Sequence, residues 1–173
     1  MTAPVRIREA ATADGPALAE LMVQARRAAI PAIPHSIHDP EDMRRWMTTV
    51  VLPECEVWLV EEPPGPPLGI LVLKDDWVEQ LFIAPSRTGG GLGSLLLNQA
   101  KARRPSALRL WTFQSNVRAH KFYEHHGFSV VERTDGSGNE EQSPDVLYGW
   151  QGASASSPGR RSSEDTQIHQ DHT

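Results

Sequence analysis

The chain has 173 residues, a length that suits one domain with its own hydrophobic core. Its 17 Lys and Arg residues are outnumbered by 22 Asp and Glu residues, for a net charge of −5, so bulk positive charge does not drive nucleic-acid binding. The single cysteine, Cys55, excludes an internal disulfide, and the lack of a signal-peptide core or of an apolar run of roughly 20 residues predicts a cytoplasmic protein without a membrane partner.

The first half of the chain predicts two helices and four strands. A short strand near Val5 and Ile7 precedes a helix that Asp14 is expected to cap, and a second helix begins at Asp39 or Pro40. The apolar face of the first helix is predicted to comprise Leu18, Leu21, Met22, Ala25 and Ala29. Three strands follow at residues 56–61, 68–74 and 77–83. The last two are almost continuously apolar, which predicts central strands buried on both faces, whereas the prolines of 62–67 predict a turn outside the ladder.

The second half alternates helices with strands. A glycine-rich loop at 84–91 leads into a helix that ends near Pro105, and strands are predicted at 107–112, 128–133 and 146–150. A further helix covers residues 117–126, with Gly127 as its C-cap. From Gly152 onward the sequence is polar and low in apolar residues, so the folded domain is placed at 1–150 and a disordered tail at 151–173.

The glycine-rich loop is the most informative segment. A buried strand runs into Gly89, Gly90, Gly91 and Gly93 and then into a helix, so free N–H groups at the positive end of the helix dipole predict a pyrophosphate site. A P-loop would require Gly-Lys-Ser/Thr, but Gly93 is followed by Ser94 and Leu95. A dinucleotide-binding G-x-G-x-x-G motif also lacks its last glycine. A glycine-rich helix start without a ligand remains an alternative.

Two segments resemble motifs of the GNAT acetyltransferase family. The loop is similar to the CoA-binding motif Val-x-Pro-x-x-Arg/Gln-Gly-x-Gly-Ile/Leu-Gly at Ile83, Pro85, Gly89, Gly91, Leu92 and Gly93. It departs from that motif at Thr88, where Arg87 is expected to supply the missing charge. The stretch from Asn116 to Phe128 is similar to Asn-x-x-Ala-x-x-Phe-Tyr-x-x-x-Gly-Phe at every specified position.

The resemblance covers Val5 to Trp150 and implies the GNAT acyl-CoA N-acyltransferase fold of the α/β class. In that fold helices flank a mixed, twisted sheet, and CoA enters a cleft between the fourth and fifth strands. The implied reaction transfers an acetyl group from acetyl-CoA to an amine of a small molecule or peptide, by direct attack in a ternary complex, without a metal and without an acyl intermediate on Cys55.

The resemblance also implies roles for individual residues. Tyr123 donates a proton to the leaving thiolate, Glu79 serves as the base facing the acceptor, and backbone N–H groups of a distorted strand near Phe82 polarise the thioester. His35 and His38 are implied to lie in one wall of the acceptor pocket. The residues implied to hold CoA are Leu81, Phe82, Ile83, Arg87, Thr88, Gly89, Gly90, Gly91, Gly93, Ser94, Asn116 and Tyr123.

Several alternatives stay open at this level. Tyr123 also fits a core aromatic, Glu79 an exposed strand-end residue, and His35 and His38 ordinary loop histidines without the further ligands that a metal needs. The whole domain also fits a non-catalytic acyl-CoA-binding module or, less well, a binder of nucleotide phosphates. A homodimer is neither predicted nor excluded, and the acceptor carries no recognisable signature.

Overall fold

Seven strands form one mixed sheet in the computed structural model, which describes residues 3–153. Their spatial order is β1-β2-β3-β4-β5-β7-β6. The strands are β1 Arg6–Glu9, β2 Glu56–Glu61, β3 Pro67–Lys74, β4 Trp77–Ile83, β5 Ala107–Phe113, β6 Ser129–Thr134 and β7 Asp145–Gln151. Most of the predicted tail, from residue 154 onward, lies outside the described residues.

Helices cover both faces of this sheet. They are α1 Gly15–Ala29, α2 Pro40–Trp46, α3 Leu52–Glu54, α4 Leu92–Arg103 and α5 Val117–His125, and a π-helical turn, Met47–Val51, joins α2 to α3. Within residues 3–153, no helix combines the length and the apolar character needed to cross a membrane. The α/β class and the order of elements predicted from the sequence are therefore confirmed.

The core has two layers because β3 and β4 bury both of their faces. Ile70 packs with the residues of α1 and α2, whereas its neighbour Leu71 packs with those of α4 and α5, and both side chains are fully buried. Successive side chains of a strand point to opposite faces, so a continuous apolar run serves both layers at once. These two strands occupy the centre of the sheet, as their composition predicts.

The sheet opens between β4 and β5. These strands are parallel, and within the described chain the pair Trp77 and Arg109 is the one register contact between them. All other neighbouring strands are antiparallel and joined over several residue pairs. The ends of β4 and β5 that lead into α4 and α5 are therefore free to diverge, and the predicted cleft lies between them.

Asp14 differs from its predicted role. It stands at the N-cap position of α1, but its carboxylate makes no cap hydrogen bond to that helix. Instead it accepts hydrogen bonds from the Ala11 amide at 2.7 Å and from two guanidinium nitrogens of Arg8 at 2.8 Å each. The hydrogen bonds from Arg8 hold the pKa of this carboxyl below its usual range. The ion pair with Arg8 of β1 therefore replaces the expected hydrogen bond between Asp14 and the backbone of α1.

Two boundaries also differ from the sequence prediction. Pro67 belongs to β3 and pairs with Glu61, because the first residue of a strand tolerates a missing N–H group. Gln151 belongs to β7, opposite Ala107, so the folded part extends past the predicted limit of 150. Gly152 continues the contact, since its amide donates to Ser106 O at 2.9 Å.

We expect Gly69→Ala to destabilise the domain by about 1–3 kcal/mol, because its new methyl group overpacks the core. A Cβ there would lie 2.7 Å from Ile83 Cδ1, 2.8 Å from Val60 Cγ1 and 2.9 Å from Leu96 Cδ1. Gly138→Ala is the matched control, since its Cβ would meet no atom within 4 Å. Urea unfolding measures both variants, and equal midpoints would contradict the packing argument.

Candidate functional site

A cavity of about 460 Å³ occupies the opening between β4 and β5. The glycine turn after β4 and the first turns of α5 line it, together with Ala25, Ala29 and Ile33. The predicted residues that line this cavity are Leu81, Phe82, Ile83, Arg87, Thr88, Gly89, Gly91, Gly93, Ser94, Asn116 and Tyr123. Gly90, Glu79, His35 and His38 were also predicted at the site, but they do not line it.

The glycine turn presents main-chain donors to this cavity. Gly89 and Gly91 have φ angles of 79° and 85°, in the left-handed region that favours glycine, and Gly91 is the N-cap of α4. The first helical bond runs from the Leu95 amide to Gly91 O at 3.0 Å. Among the described residues, no protein atom accepts a hydrogen bond from the amides of residues 89–94. These donors lie at the positive end of the helix dipole, which suits them to an anion.

Gly93 allows close helix packing, unlike Gly89 and Gly91, which allow the left-handed backbone of the turn. A Cβ at Gly93 would lie 3.3 Å from Phe122 Cζ and 3.9 Å from Ile83 Cγ1. The missing side chain therefore lets α4 approach α5 closely and brings the two motif segments together. Gly90 faces the turn itself, where its Cβ would meet Arg87 O at 3.4 Å.

The positive charge near the turn comes from a residue that the sequence analysis missed. Both terminal nitrogens of Arg87 donate to the Glu62 carboxylate at 3.0 Å, so its charge is already paired. Arg118 also lines the cavity, and its Nη2 atom lies 3.9 Å from the position that a Gly89 Cβ would occupy. A cation in the first turn of a helix opposes the helix dipole, and this unfavourable placement was the available signal in the sequence.

Ser94 is held by a partner beyond the cavity. Its Oγ lies 3.0 Å from His126 Nε2, and the Lys101 ammonium donates to the carbonyl of the same histidine at 2.5 Å. Burial lowers the pKa of His126, and the nearby charges of Lys101 and His125 lower it further. The lowered pKa favours the neutral imidazole, and the hydrogen bond between its Nε2 atom and the Ser94 hydroxyl holds the serine oxygen beside the turn.

Helix α5 positions the second group of predicted residues. The Asn116 side-chain oxygen caps the helix by accepting from the Ala119 amide at 3.2 Å, which leaves its NH₂ group as the donor for a ligand. Tyr123 is 2% exposed, and its ring packs edge-on against Phe122 at 5.1 Å and Phe128 at 5.6 Å. The aromatic contacts fix the Tyr123 ring at the wall of the cavity.

Glu79 lies away from the cavity at a β-bulge. Val72 of β3 pairs with Gln80 and Leu73 pairs with Val78, so Glu79 is the extra residue of β4. Burial raises the pKa of its carboxyl, the nearby Lys74 opposes that change, and Asp75 adds to it. The strand distortion expected near Phe82 is therefore centred three residues earlier. The base role of Glu79 stays a prediction, and from this position the carboxylate would act through water.

His35 and His38 line a different, smaller pocket of about 160 Å³ beside α1 and α2. His38 Nε2 lies 3.1 Å from Glu140 Oε2, on the loop between β6 and β7. The structure thus separates both histidines from the residues of the main cavity. Over residues 3–153, no three His, Cys, Asp or Glu side chains are grouped so that they could hold a metal ion.

The chain is similar to known proteins in sequence and in fold. The family model described as "Acetyltransferase (GNAT) domain" matches residues 53–130, which include β4, the glycine turn and α5. The peptidyl-lysine N-acetyltransferase YjaB of Salmonella typhimurium is 31% identical over 84 residues, which are 49% of this chain and 57% of that protein. The match therefore spans little more than half of that relative.

Two further comparisons extend over more of the chain. The peptidyl-lysine N-acetyltransferase YiaC of Escherichia coli is 28% identical over 145 residues, which are 83% of this chain and 95% of that protein. The structure of yncA from Salmonella typhimurium, solved with its cofactor acetyl-CoA, superposes with a TM-score of 0.64 at 20% identity and covers 90% of this chain and 98% of that one. This last likeness establishes the fold.

We expect the Cys55 thiol to react very slowly with iodoacetamide near pH 7, because burial raises its pKa to about 11 and leaves roughly one thiolate in 10⁴. The thiolate is the reactive form, so the rate should rise about tenfold per pH unit up to the folded pKa. Mass spectrometry of the folded and the urea-unfolded chain measures both rates. A plateau in the folded protein near pH 8.5, as for an ordinary thiol, would contradict this prediction.

Proposed function

Because the chain belongs to the GNAT acetyltransferase family, we propose that it transfers an acetyl group from acetyl-CoA to an amine. The observation that carries the proposal is the pairing of unused main-chain donors at residues 89–94 with Tyr123 in one cavity. The names of the relatives YjaB and YiaC and the acetyl-CoA bound to yncA support the same reaction and co-substrate.

In this proposal the pyrophosphate of acetyl-CoA binds to the amides of residues 89–94. The geometry fits such a group, because a Cβ at Gly91 would meet no protein atom within 4 Å and the space is left for the ligand. Arg118 supplies a cation beside the phosphates, and the NH₂ group of Asn116 is available to the pantetheine arm. In this proposal the main-chain amides hold the pyrophosphate without the Arg or Gln of the family motif, whose position Thr88 occupies.

The proposed chemistry forms a C–N bond and breaks a C–S bond. The amine nitrogen attacks the thioester carbonyl, and the sulfur leaves as a thiolate with the electron pair of the broken bond. Tyr123 then transfers its phenolic proton to that thiolate. An ordinary thiol pKa of about 8.5 lies close enough to the tyrosine value of about 10 for this transfer to need only modest help from the site.

The proton on the attacking amine leaves by another route. Among the described residues that line the cavity there is no carboxylate and no imidazole. We therefore propose that the amine enters in its uncharged form or passes its proton to water, with Glu79 reached through water at most. The lack of a base among these lining residues also supports a second function, a module that binds acyl-CoA without turnover.

The acceptor that we propose first is the side-chain amine of a lysine in a peptide. The two relatives named as peptidyl-lysine N-acetyltransferases support this class. Among the residues that line the cavity, Ala25, Ala29 and Ile33 offer apolar walls. Such walls suit the alkyl stem of a lysine, which buries its methylene groups while its nitrogen reaches the thioester.

The function is tested by incubating the protein with acetyl-CoA and a panel of amines that includes lysine peptides, amino acids and polyamines. Thiol release and acetylated product are measured together, and calorimetry measures CoA binding separately. We expect both thiol and product with at least one lysine peptide. CoA binding without thiol release across the panel would favour the non-catalytic module, and the absence of CoA binding would refute both functions.

We expect Gly91→Val to weaken CoA binding by about 100-fold or more, because the side chain would enter the space of the pyrophosphate and valine disfavours a φ of 85°. Gly138→Val is the matched control, since a Cβ there would also meet no atom within 4 Å, its φ is not in the left-handed region and it lies outside the cavity lining. Calorimetry gives the affinities and circular dichroism verifies the fold. Equal affinity of both folded variants would remove the main-chain site.

We expect Tyr123→Phe to lower kcat about tenfold or more while the Kd for CoA stays within about twofold, because only the proton donor is lost. The ring contacts with Phe122 and Phe128 survive this change, so the wall keeps its shape. Steady-state kinetics and calorimetry supply the two numbers. An equal loss in kcat and in CoA affinity would argue for a structural tyrosine.

A further inference from the structure

We propose that the smaller pocket beside α1 binds a small oxyanion, a carboxylate or a phosphate, through Arg26. The pocket lies on a different face of α1 from the acetyl-transfer cavity. Val23, Arg26, Arg27 and Ile30 line it at helical spacing, whereas Ala25 and Ala29 line the main cavity. The two sites are thus separated by the width of one helix, and the inference does not depend on the acetyl-transfer function.

Arg26 carries the proposal because it is a buried cation with unused donors. The residue is 3% exposed, and its Nη2 atom lies 3.2 Å from Glu141 Oε1, whose side chain is also buried. Its Nε and Nη1 atoms are buried without any hydrogen-bond partner. Buried charged donors normally have partners, since leaving them unpaired is costly, so two nitrogen atoms without a partner indicate that a polar group belongs beside them.

The lining of the pocket indicates which chemistry that partner has. Its titratable side chains are Arg26, Arg27, His35 and His38, and none of its lining residues carries a carboxylate. The Ser36 side chain adds a hydroxyl, while apolar side chains close the remaining wall. The guanidinium groups of Arg26 and Arg27 match the oxygens of a carboxylate or phosphate. The carboxylates of Glu140 and Glu141 contact His38 and Arg26, respectively, but neither glutamate lines the pocket.

The size of the pocket sets the size of the ligand. Its volume of about 160 Å³ corresponds to roughly five waters at about 30 Å³ each. That space admits acetate, phosphate or the terminal carboxylate of a larger molecule, but not a nucleotide. The pocket also opens beside the segment that carries His38, which contacts Glu140 of the β6–β7 loop. An anion bound there would therefore sit next to both acidic contacts of that loop, Glu140 and Glu141.

The experiment follows the Arg26 Nε–Hε resonance of the full chain by NMR while acetate, phosphate or sulfate replaces chloride at constant ionic strength. We expect a saturable shift with a dissociation constant of about 1 mM for at least one of these anions. Comparing acetate with phosphate separates a carboxylate ligand from a phosphate ligand. No saturable shift with any of them would mean that water fills the pocket, and the proposal would be wrong.

Variants separate a binding role of Arg26 from a structural one. Arg26→Lys keeps the charge opposite Glu141 but removes the extra donors, so we expect anion affinity, followed by amide resonances of Ser36 and His38, to fall about tenfold or more. Arg45→Gln, an exposed arginine outside the pocket, is the matched control. Because an unpaired Glu141 destabilises the fold, Arg26→Met combined with Glu141→Leu supplies a second variant without the charge. Unchanged affinity in either folded variant would overturn the assignment.

Discussion

The separation of β4 from β5 is the constraint on which the site depends. A sheet that stayed hydrogen-bonded there would close the cavity and would bury the start of α4 against α5. One residue pair at the far end keeps the strands in a common sheet, while the remaining length diverges. The continuous apolar runs of β3 and β4 offset the hydrogen bonds that are missing between β4 and β5, because their side chains pack into both core layers.

The site built at this opening depends on backbone geometry more than on side-chain chemistry. The turn contributes amides, α4 contributes its dipole, and Gly93 lets the two helices meet over Phe122. Side chains then refine the site, with Arg118 as the cation and Tyr123 as the proton donor in the proposed reaction. Arg87, the cation expected from the sequence, is instead paired with Glu62.

Much of this arrangement could be predicted from the sequence because its signals are local. The glycines of the turn, Gly127 at the end of α5 and the apolar runs of the strands each depend on a few neighbouring residues. What could not be predicted depends on contacts between distant segments. Glu79 is displaced by a bulge that arises from its register with β3, and His35 and His38 face a pocket whose other wall is α1. The pairing of Arg87 with Glu62 joins residues on two different turns, which no periodicity reveals.

The reliance on main-chain donors has a consequence for how this chain can vary. Amide groups of the turn do not titrate in the physiological range, and their N–H donors are retained with every residue type except proline. A lineage can therefore exchange the residue at position 88, as Thr88 illustrates, without losing the amides that we propose bind the phosphates. Variation is instead restricted at Gly89 and Gly91, where the required backbone rotation selects the residue type.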